Sequence, residues 1–267
     1  MLRQPAVANR FYDGDPVKLR HSLGRMIPDA SEKVAAKAVI SPHAGYIFSG
    51  GVAGETFAQV EIPETVIILG PNHHGLGAPL AVGTTDWEMP LGRVSLARDL
   101  AAAVTEGSEL FTNDDIAHEY EHSLEVQVPF LQYFQENLRI LPVVVSRLSF
   151  AQCQQAAGEL ARAVTQCGQP VLLVASTDMS HYISRQKATE LDRLALDRIL
   201  SLDPKALYNT VILTRRISMC GIIPTTIILQ AAIELGAEQA ELIRYTDSGE
   251  ISGDTDEVVG YAGLIIR

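Results

Sequence analysis

The sequence predicts a single three-layer α/β domain over residues 1–267, built on a largely parallel central sheet. Two observations support this fold class. Short aliphatic runs that end in glycine, proline or other turn residues alternate along the chain with segments of helical periodicity. The 267 residues are 47% hydrophobic, which is enough to bury a sizeable core, and they contain no internal repeat or low-complexity linker.

The first half of the chain is predicted to form an entry helix followed by a βαβ unit. Asp15 is typical of an N-cap, Pro16 suits the first helical position, and Pro28 ends the helix. The elements predicted after it are a strand over 37–41, a helix over 50–60, a strand over 65–69, a short strand over 79–84 and a helix over 96–104.

The second half repeats the alternation of strand and helix. Ser149 and Gln152 form a capping box that predicts the start of a helix. The helix over 225–235 is apolar on nearly all sides and is therefore predicted to be buried. The predicted elements are a strand over 139–145, a helix ending at 166, a strand over 171–175, helices over 185–200, from 203 onward and over 225–235, and strands over 241–245 and 258–266.

The charge balance excludes several classes of partner. The formal net charge is -11 with a pI of about 5.1, and no cluster of lysine and arginine stands out, so neither nucleic acid nor an anionic membrane is expected as the primary partner. No apolar stretch approaches the roughly 20 residues that span a bilayer, and the first residues lack the apolar core of a signal peptide. We therefore expect a cytoplasmic protein.

Histidines follow several predicted strands at the point where each strand ends. His43 comes after the first central strand, His73 and His74 after the second, and Asp178 and His181 after the strand that ends at 175. Because the carboxyl ends of parallel strands lie along one edge of a sheet, these side chains are expected to converge there. Transition metals are commonly held by two or three such side chains with one position open, so the pattern predicts a metal site.

The three cysteines are considered one by one, because their odd number and wide spacing argue against a disulfide framework or a zinc ribbon. Cys220 precedes Gly221 and the start of a helix, where unpaired N–H groups favour a thiolate that is able to ligate a metal. Cys153 and Cys167 lie within or at the end of a helix rich in alanine and glutamine, and they are expected to serve in packing.

Asp178 and His181 form a candidate acid–base pair. A carboxylate near an imidazole favours the protonated ring, so His181 is expected to act as general acid. His122 or His74, nearer a cationic metal, is expected to stay neutral and act as base. In the alternative interpretation, Asp178 only caps the helix that follows it.

Residues 118–122 match the zinc-protease motif His-Glu-x-x-His, in which two histidines share one face of a continuous helix. Here the apolar register begins only at Leu124, so the helix is predicted to start near His122 or Ser123 and to leave His118 in the preceding loop. We therefore expect that His118 is not a metal ligand.

Five ordered segments that span nearly the whole chain resemble those of the Memo family. They are Pro42-His43-Ala44-Gly45-Tyr46, Gly70-Pro71-Asn72-His73-His74, Glu121-His122-Ser123-Leu124-Glu125, Ser176-Thr177-Asp178-Met179-Ser180-His181 and Cys220-Gly221-Ile222-Ile223-Pro224. The family is similar in fold to the class III extradiol dioxygenases, whose non-haem iron is bound by two histidines and a glutamate. The resemblance implies that His43, His73 and Cys220 are metal ligands and that His122, Asp178 and His181 line the same pocket.

The resemblance also implies a range of functions. Memo-like proteins are linked to copper or iron binding, to redox activity, in other settings to phosphotyrosine peptides, and in prokaryotes to a functional association with a radical-SAM protein. A cysteine in place of the carboxylate ligand changes the chemistry, because a thiolate is softer, favours copper(I), zinc or iron(II), and is itself oxidisable. Ring cleavage therefore does not follow from the fold alone.

Three functions are compatible with this pattern. The first is a redox enzyme that depends on non-haem iron or copper and acts on an unidentified small molecule or peptide, with zinc as a further candidate metal. The second is a non-catalytic module that binds a peptide or small anion in the same pocket, with Arg3, Arg10 or Arg93 as candidate partners of the anion. The third is a zinc-dependent hydrolase built on the motif at 118–122.

Overall fold

The computed structural model describes residues 2–29, 32–214 and 216–267 and has a mixed α/β architecture around a central sheet. The strands in these residues are β1 (Leu2–Arg3), β2 (Ala38–Ser41), β3 (Thr65–Pro71), β4 (Leu80–Val82), β5 (Asp86–Trp87), β6 (Ser95–Leu96), β7 (Phe111–Asn113), β8 (Arg139–Val145), β9 (Val171–Ser176), β10 (His181–Ile183), β11 (Ala240–Asp247) and β12 (Val258–Ile266). The helices are α1 (Pro16–Met26), α2 (Tyr46–Ala58), α3 (Arg98–Thr105), α4 (Val128–Phe134), α5 (Phe150–Cys167), α6 (Arg185–Leu200), α7 (Pro204–Tyr208), α8 (Ile222–Glu234) and α9 (Gly249–Ser252). Short 3-10 turns cover Ile116–His118 and Glu125–Gln127, and a π-helical turn covers Asn209–Leu213.

The central sheet is parallel in its middle and mixed at its flanks. Its strand order is β10-β12-β2-β9-β3-β8-β4-β7, and β2, β9, β3 and β8 pair in parallel. On one side β12 pairs antiparallel with β2, and on the other β4 pairs antiparallel with β8. β11 also pairs antiparallel with β12, because the short connection between them returns the chain alongside itself. The prediction of a largely parallel sheet is therefore correct for the four central strands. The flanks are mixed, because β12 and β4 join these strands antiparallel, whereas β6 pairs parallel with β8 and β7 pairs parallel with β4.

Each face of the sheet carries its own hydrophobic core. Ile67 and Leu69 of β3 belong to the core on one face, which includes side chains of α3, α5 and α8. Val66 and Ile68 belong to the core on the other face, which includes side chains of α1, α2 and α4. Because successive side chains of a strand point to opposite faces, the run 66–69 has to be apolar at every position.

Several predicted elements are confirmed closely. The strand over 139–145 and the helix over 185–200 are found at those bounds as β8 and α6, and the capping box of Ser149 and Gln152 is present at the start of α5. The helix α8 begins three residues before its predicted start and is buried along most of its length, as predicted. No helix within the described residues, α8 included, is long and apolar enough to cross a membrane.

The helix α2 begins at Tyr46, four residues before its predicted start. Gly50 and Gly51 are weak helix formers and conceal its first turns in the sequence. Gly54 in the same helix is required by packing, because a Cβ atom built there would lie 2.2 Å from the carbonyl oxygen of Met26 in α1. Gly54 therefore lets α1 and α2 approach each other closely.

Gly54→Ala is expected to destabilise the protein by roughly 1–3 kcal/mol, because the added methyl group collides with the backbone of α1. Gly51 is the matched control, since it lies in the same helix and its added Cβ would meet an arginine nitrogen at 3.6 Å as its nearest neighbour. Gly51→Ala should instead raise stability by roughly 0.5–1 kcal/mol through helix propensity. Urea unfolding measures both changes, and equal stability of the two variants would contradict the packing argument.

Candidate metal centre

Three histidine side chains converge beside the carboxyl ends of the central strands. His43 follows β2, His73 follows β3, and His122 lies in the loop before the turn Glu125–Gln127. Each offers a ring nitrogen, and these nitrogens lie within 4.8 Å of one another. The rings of His73 and His122 stack with centroids 4.5 Å apart, and the ring of His43 meets both edge-on at 5.2 and 5.6 Å. A group of imidazoles of this kind is able to hold a transition-metal ion.

Hydrogen bonds behind His43 determine which of its ring nitrogens carries the proton. Its Nδ1 lies 2.9 Å from Oγ of Ser176. The Ser176 hydroxyl donates its own proton to the backbone oxygen of Ser123 at 2.6 Å and accepts from Nε2 of Gln127 at 2.8 Å. The hydroxyl oxygen therefore accepts from Nδ1–H of His43, which leaves the lone pair of Nε2 for a metal. Burial lowers the pKa of His43 well below its ordinary value, so the ring is neutral.

Glu121 holds His73 in a similar way. One carboxylate oxygen of Glu121 accepts from Nδ1 of His73 at 2.9 Å, and the other accepts from its backbone N–H at 2.6 Å. The backbone N–H groups of His122 and Ser123 donate to the same carboxylate, each at 2.9 Å. Burial raises the pKa of Glu121, but the hydrogen bonds from His73 and from these backbone N–H groups together hold it well below its usual range. An ionised Glu121 requires a proton on Nδ1 of His73 and leaves Nε2 as the nitrogen available to a metal.

His122 is the third member of the group, although the sequence analysis assigned it an acid–base role. Its ring packs against the ring of Phe11, with centroids 4.8 Å apart. Burial lowers the pKa of His122 to about 4, in spite of the nearby carboxylate of Glu121. The ring is therefore neutral near pH 7 and offers a lone pair. His122 thus joins His43 and His73 in this group, and Cys220, the third predicted ligand, is not one of its members.

Cys220 lies next to this group and contacts one of its members. Its Sγ lies 3.3 Å from Nε2 of His43 and accepts from the backbone N–H of Asp178 at 3.2 Å. The expected thiolate is not favoured by the protein alone, because burial and the charge of Asp178 raise the pKa of the Cys220 thiol well above its ordinary value. These two effects outweigh the stabilisation of a thiolate that the N-terminus of α8 provides. A bound cation reverses the balance, since metal ions deprotonate the thiols that coordinate them.

Asp178 supports the backbone of His43 rather than the helix that follows it in the sequence. Its Oδ1 accepts from the backbone N–H of His43 at 2.7 Å. The helix α6 is instead capped by Ser184, so the capping interpretation of Asp178 is wrong. Burial raises the pKa of Asp178 to about 6, against the opposing effects of this hydrogen bond and of His181.

His181 and His74, the other predicted acid–base residues, are not members of the histidine group. The Nδ1 of His181 lies 3.1 Å from the backbone oxygen of Ser218, and this contact holds the ring near the start of β10. His74 is exposed, with its ring 6.3 Å from the ring of Tyr120.

The zinc-protease motif at 118–122 does not form a helix that joins its two histidines. His118 ends the short turn that begins at Ile116, and the next helical residues begin at Glu125. The regular helix α4 starts only at Val128, a few residues later than predicted. His118 is buried, and its Nε2 lies 3.0 Å from the backbone oxygen of Ala81. His118 is therefore a structural residue, and the described chain lacks the helix that the zinc-hydrolase hypothesis requires.

A buried ion pair between Arg3 and Glu125 anchors the loop that carries Glu121 and His122. Nη1 of Arg3 lies 2.7 Å from Oε2 of Glu125, and the two side chains are 5% and 0% exposed. The guanidinium also donates to the backbone oxygens of His118 and Glu121, at 2.7 and 2.6 Å. The strand β1 is thereby tied to three points along this loop.

The N-terminal segment supplies the other partners of Glu125. The carboxylate accepts from the backbone N–H groups of Ala6 and Val7 at 2.7 and 3.0 Å, and from the hydroxyl of Tyr12 at 2.6 Å. Arg3 is therefore not free to bind an anionic ligand, contrary to the second hypothesis. Arg93 is also paired, with the buried carboxylate of Asp86.

Sequence reasoning assigned no role to Glu121 or Glu125. A weak signal was present, because Glu125 stands between Leu124 and Val126 at the start of the apolar register, and a buried carboxylate needs partners. The partners themselves carry no local signal, since Arg3 lies 122 residues from Glu125 and His73 lies 48 residues from Glu121.

Glu125→Gln is expected to destabilise the protein by about 3–5 kcal/mol, because it leaves the guanidinium of Arg3 buried without its counter-charge. Tyr12→Phe is the matched control, since it removes one hydrogen bond from the same carboxylate and should cost about 1 kcal/mol. Denaturant unfolding followed by circular dichroism measures both. A smaller loss in Glu125→Gln than in Tyr12→Phe would show that the ion pair does not anchor the loop.

Comparisons with known proteins identify the family of the chain. Residues 3–265 match the family model described as Memo-like protein. A MEMO1 family protein of Methanosarcina barkeri is 39% identical over 269 residues, which cover 100% of both chains. One of Aquifex aeolicus is 37% identical over 268 residues, which cover 99% of this chain and 98% of the relative. Among solved structures, an uncharacterized protein of Escherichia coli K12 matches 84% of this chain and 98% of its own with a TM-score of 0.52 and 12% identity, a likeness of fold alone. The chain therefore belongs to the Memo family.

Proposed function

We propose that this Memo family protein is a metal-dependent redox enzyme whose ion is held by His43, His73 and His122. The observation that carries the proposal is the approach of three ring nitrogens to within 4.8 Å of one another. Two of these rings are neutral by the direction of their pKa shifts, so the group presents lone pairs rather than competing positive charges. A transition-metal ion is a partner that several such lone pairs are able to bind together.

The chemistry of the donor set fits a transition metal. His43 and His73 each keep Nδ1 hydrogen-bonded to an outer partner, as metal-binding imidazoles usually do. Cys220 is a candidate further ligand, because the 3.3 Å between its Sγ and Nε2 of His43 is close to the value of about 3.5 Å expected when both bind one tetrahedral ion. Imidazoles with a nearby thiol suit iron, copper or zinc, and a redox role favours iron or copper.

The residues around the proposed ion have distinct roles. When bound, the ion supplies Lewis-acid and redox chemistry to a substrate beside it. Asp178 positions the backbone of His43 through its hydrogen bond of 2.7 Å. We assign His181 as the proton donor and His74 as a proton acceptor at the exposed rim.

We extend the proposal to the architecture of the chain. One sheet serves both cores, which supports a single domain over residues 1–267. Four parallel strands with the histidines beyond their carboxyl ends support a relation to the class III extradiol dioxygenases.

Protein purified anaerobically without an affinity tag is expected to bind about one transition-metal ion per chain. His43→Ala, His73→Ala and His122→Ala should each lower the metal content at least about tenfold, because each removes a ligand. Elemental analysis and titration with Fe(II) measure the loss. His21→Ala is the control, since His21 is an exposed residue of α1. The proposal fails if the parent protein contains no transition metal and gains none on titration.

Cobalt(II) tests whether Cys220 joins the ligands. A cobalt–thiolate bond gives an intense charge-transfer band in the near ultraviolet, which Cys220→Ser should abolish while the metal remains bound through the histidines. Cys167→Ser is the matched control, because Cys167 lies at the end of α5 and is a free cysteine. An unchanged band in Cys220→Ser would remove the sulfur from the ligand set.

A further inference from the structure

A cavity of about 610 Å³ adjoins the candidate metal centre. It lies between the end of β3 at Pro71, the end of β8 at Val145 and the start of α8 at Ile222. Cys220 forms part of its wall, and the sulfur of the same residue lies 3.3 Å from Nε2 of His43. The cavity therefore shares one residue with the metal centre and is otherwise built from different side chains. A space of this size is typical of a site for a small molecule.

Most of the cavity wall is aliphatic. The apolar side chains that line it include Val145, Leu148, Val211, Ile212, Ile217 and Ile223. A ligand that lies along them is stabilised by roughly 25 cal/mol for each Å² of apolar surface removed from water. The wall therefore favours a ligand with an apolar body.

Arg147 supplies the charge of the cavity. It is exposed, lies two residues beyond the end of β8, and has no acidic residue beside it among the described residues of the lining. Within the described chain, no carboxylate lies within salt-bridge distance of its guanidinium. In a protein of net charge -11, an arginine left without a counter-ion beside an apolar cavity favours an anionic ligand.

We propose that this cavity binds an organic acid with an apolar body, whose carboxylate pairs with Arg147 and whose body lies along the aliphatic wall toward Cys220. That this acid is also the substrate of the metal centre is a further step, and only this step rests on the proposed function. Binding itself requires Arg147 and the wall. An uncharged apolar compound leaves Arg147 without a partner and a short acid leaves the wall exposed, so both bind less tightly.

The segment Ile217–Cys220 connects the cavity to two histidines, His181 and His43. All four of its residues line the cavity. Ser218 holds His181, since its Oγ accepts from the backbone N–H of His181 at 2.8 Å and its backbone oxygen lies 3.1 Å from the ring. Cys220 contacts His43. A ligand in the cavity would therefore contact Ser218, which holds the proposed proton donor His181. It would also contact Cys220, which touches the proposed metal ligand His43.

Octanoate and its uncharged counterpart 1-octanol test the proposal by isothermal titration calorimetry on chelator-treated protein. Octanoate is expected to bind at one site per chain, and Arg147→Gln should weaken its affinity about tenfold or more, because the charge-assisted pair is lost. The affinity for 1-octanol should be the same in the parent and in Arg147→Gln. Arg162→Gln is the matched control, since Arg162 is an exposed arginine of α5 outside the cavity.

Ile212→Trp is a second variant, in which the larger side chain fills the cavity while Arg147 is kept. It is expected to lose octanoate binding, with circular dichroism verifying that it is folded. The proposal is overturned if octanoate shows no saturable binding to the parent, or if either variant binds it as tightly as the parent does. Metal uptake is measured separately. Octanoate binding without metal uptake keeps the cavity assignment and refutes the metal centre, and metal uptake without octanoate binding does the reverse.

Discussion

Arg3 and Glu125 place two opposite charges in the interior of the protein, where each would cost several kcal/mol if left alone. The cost is offset because both groups are surrounded by partners from the chain itself. The guanidinium donates to the carboxylate and to two backbone oxygens of the loop, and the carboxylate accepts from two backbone N–H groups and a tyrosine hydroxyl of the N-terminal segment. The N-terminal segment and the loop before α4 are therefore held together, and the position of His122 depends on this contact.

Two imidazoles of the candidate metal centre are likewise held by hydrogen bonds to buried side chains. Ser176 and Glu121 each hold one imidazole by its Nδ1, so the tautomers and ring orientations of His43 and His73 are determined before any ion binds. Ser123 links the two supports, since its backbone N–H donates to Glu121 and its backbone oxygen accepts from Ser176. These supports hold the rings of His43 and His73 in place beside the ring of His122.

Cys220 stands where the candidate metal centre and the apolar cavity meet. Its thiol has a raised pKa in the folded chain, so binding of a cation to its sulfur would be accompanied by release of a proton. The same residue forms part of the wall of the cavity that Arg147 also lines. An apolar acid held there would lie against the sulfur without displacing the three histidines. The proposed acid and the proposed ion would therefore occupy separate sites that share one side chain.

The sequence by itself determined the features whose causes are local. The bounds of β8 and α6, the capping box at Ser149 and the all-apolar character of α8 follow from periodicity and capping, which act over a few residues. The placement of His43 and His73 also follows, because each comes directly after a buried strand. The family was also predictable from the sequence, because the resemblance depends on short motifs in a fixed order.

Only the tertiary structure decided the features that depend on residues far apart in the chain. Examples are the antiparallel pairing of β12 with β2 and of β4 with β8, the ion pair of Arg3 and Glu125, and the place of His122 in the histidine group. Each joins segments that no single periodic pattern connects. The raised pKa of the Cys220 thiol likewise depends on tertiary structure. The N-terminus of a helix favours a thiolate locally, whereas burial by distant elements opposes it more strongly. Desolvation and long-range pairing are properties of the folded surroundings, so a local pattern in the sequence does not contain them.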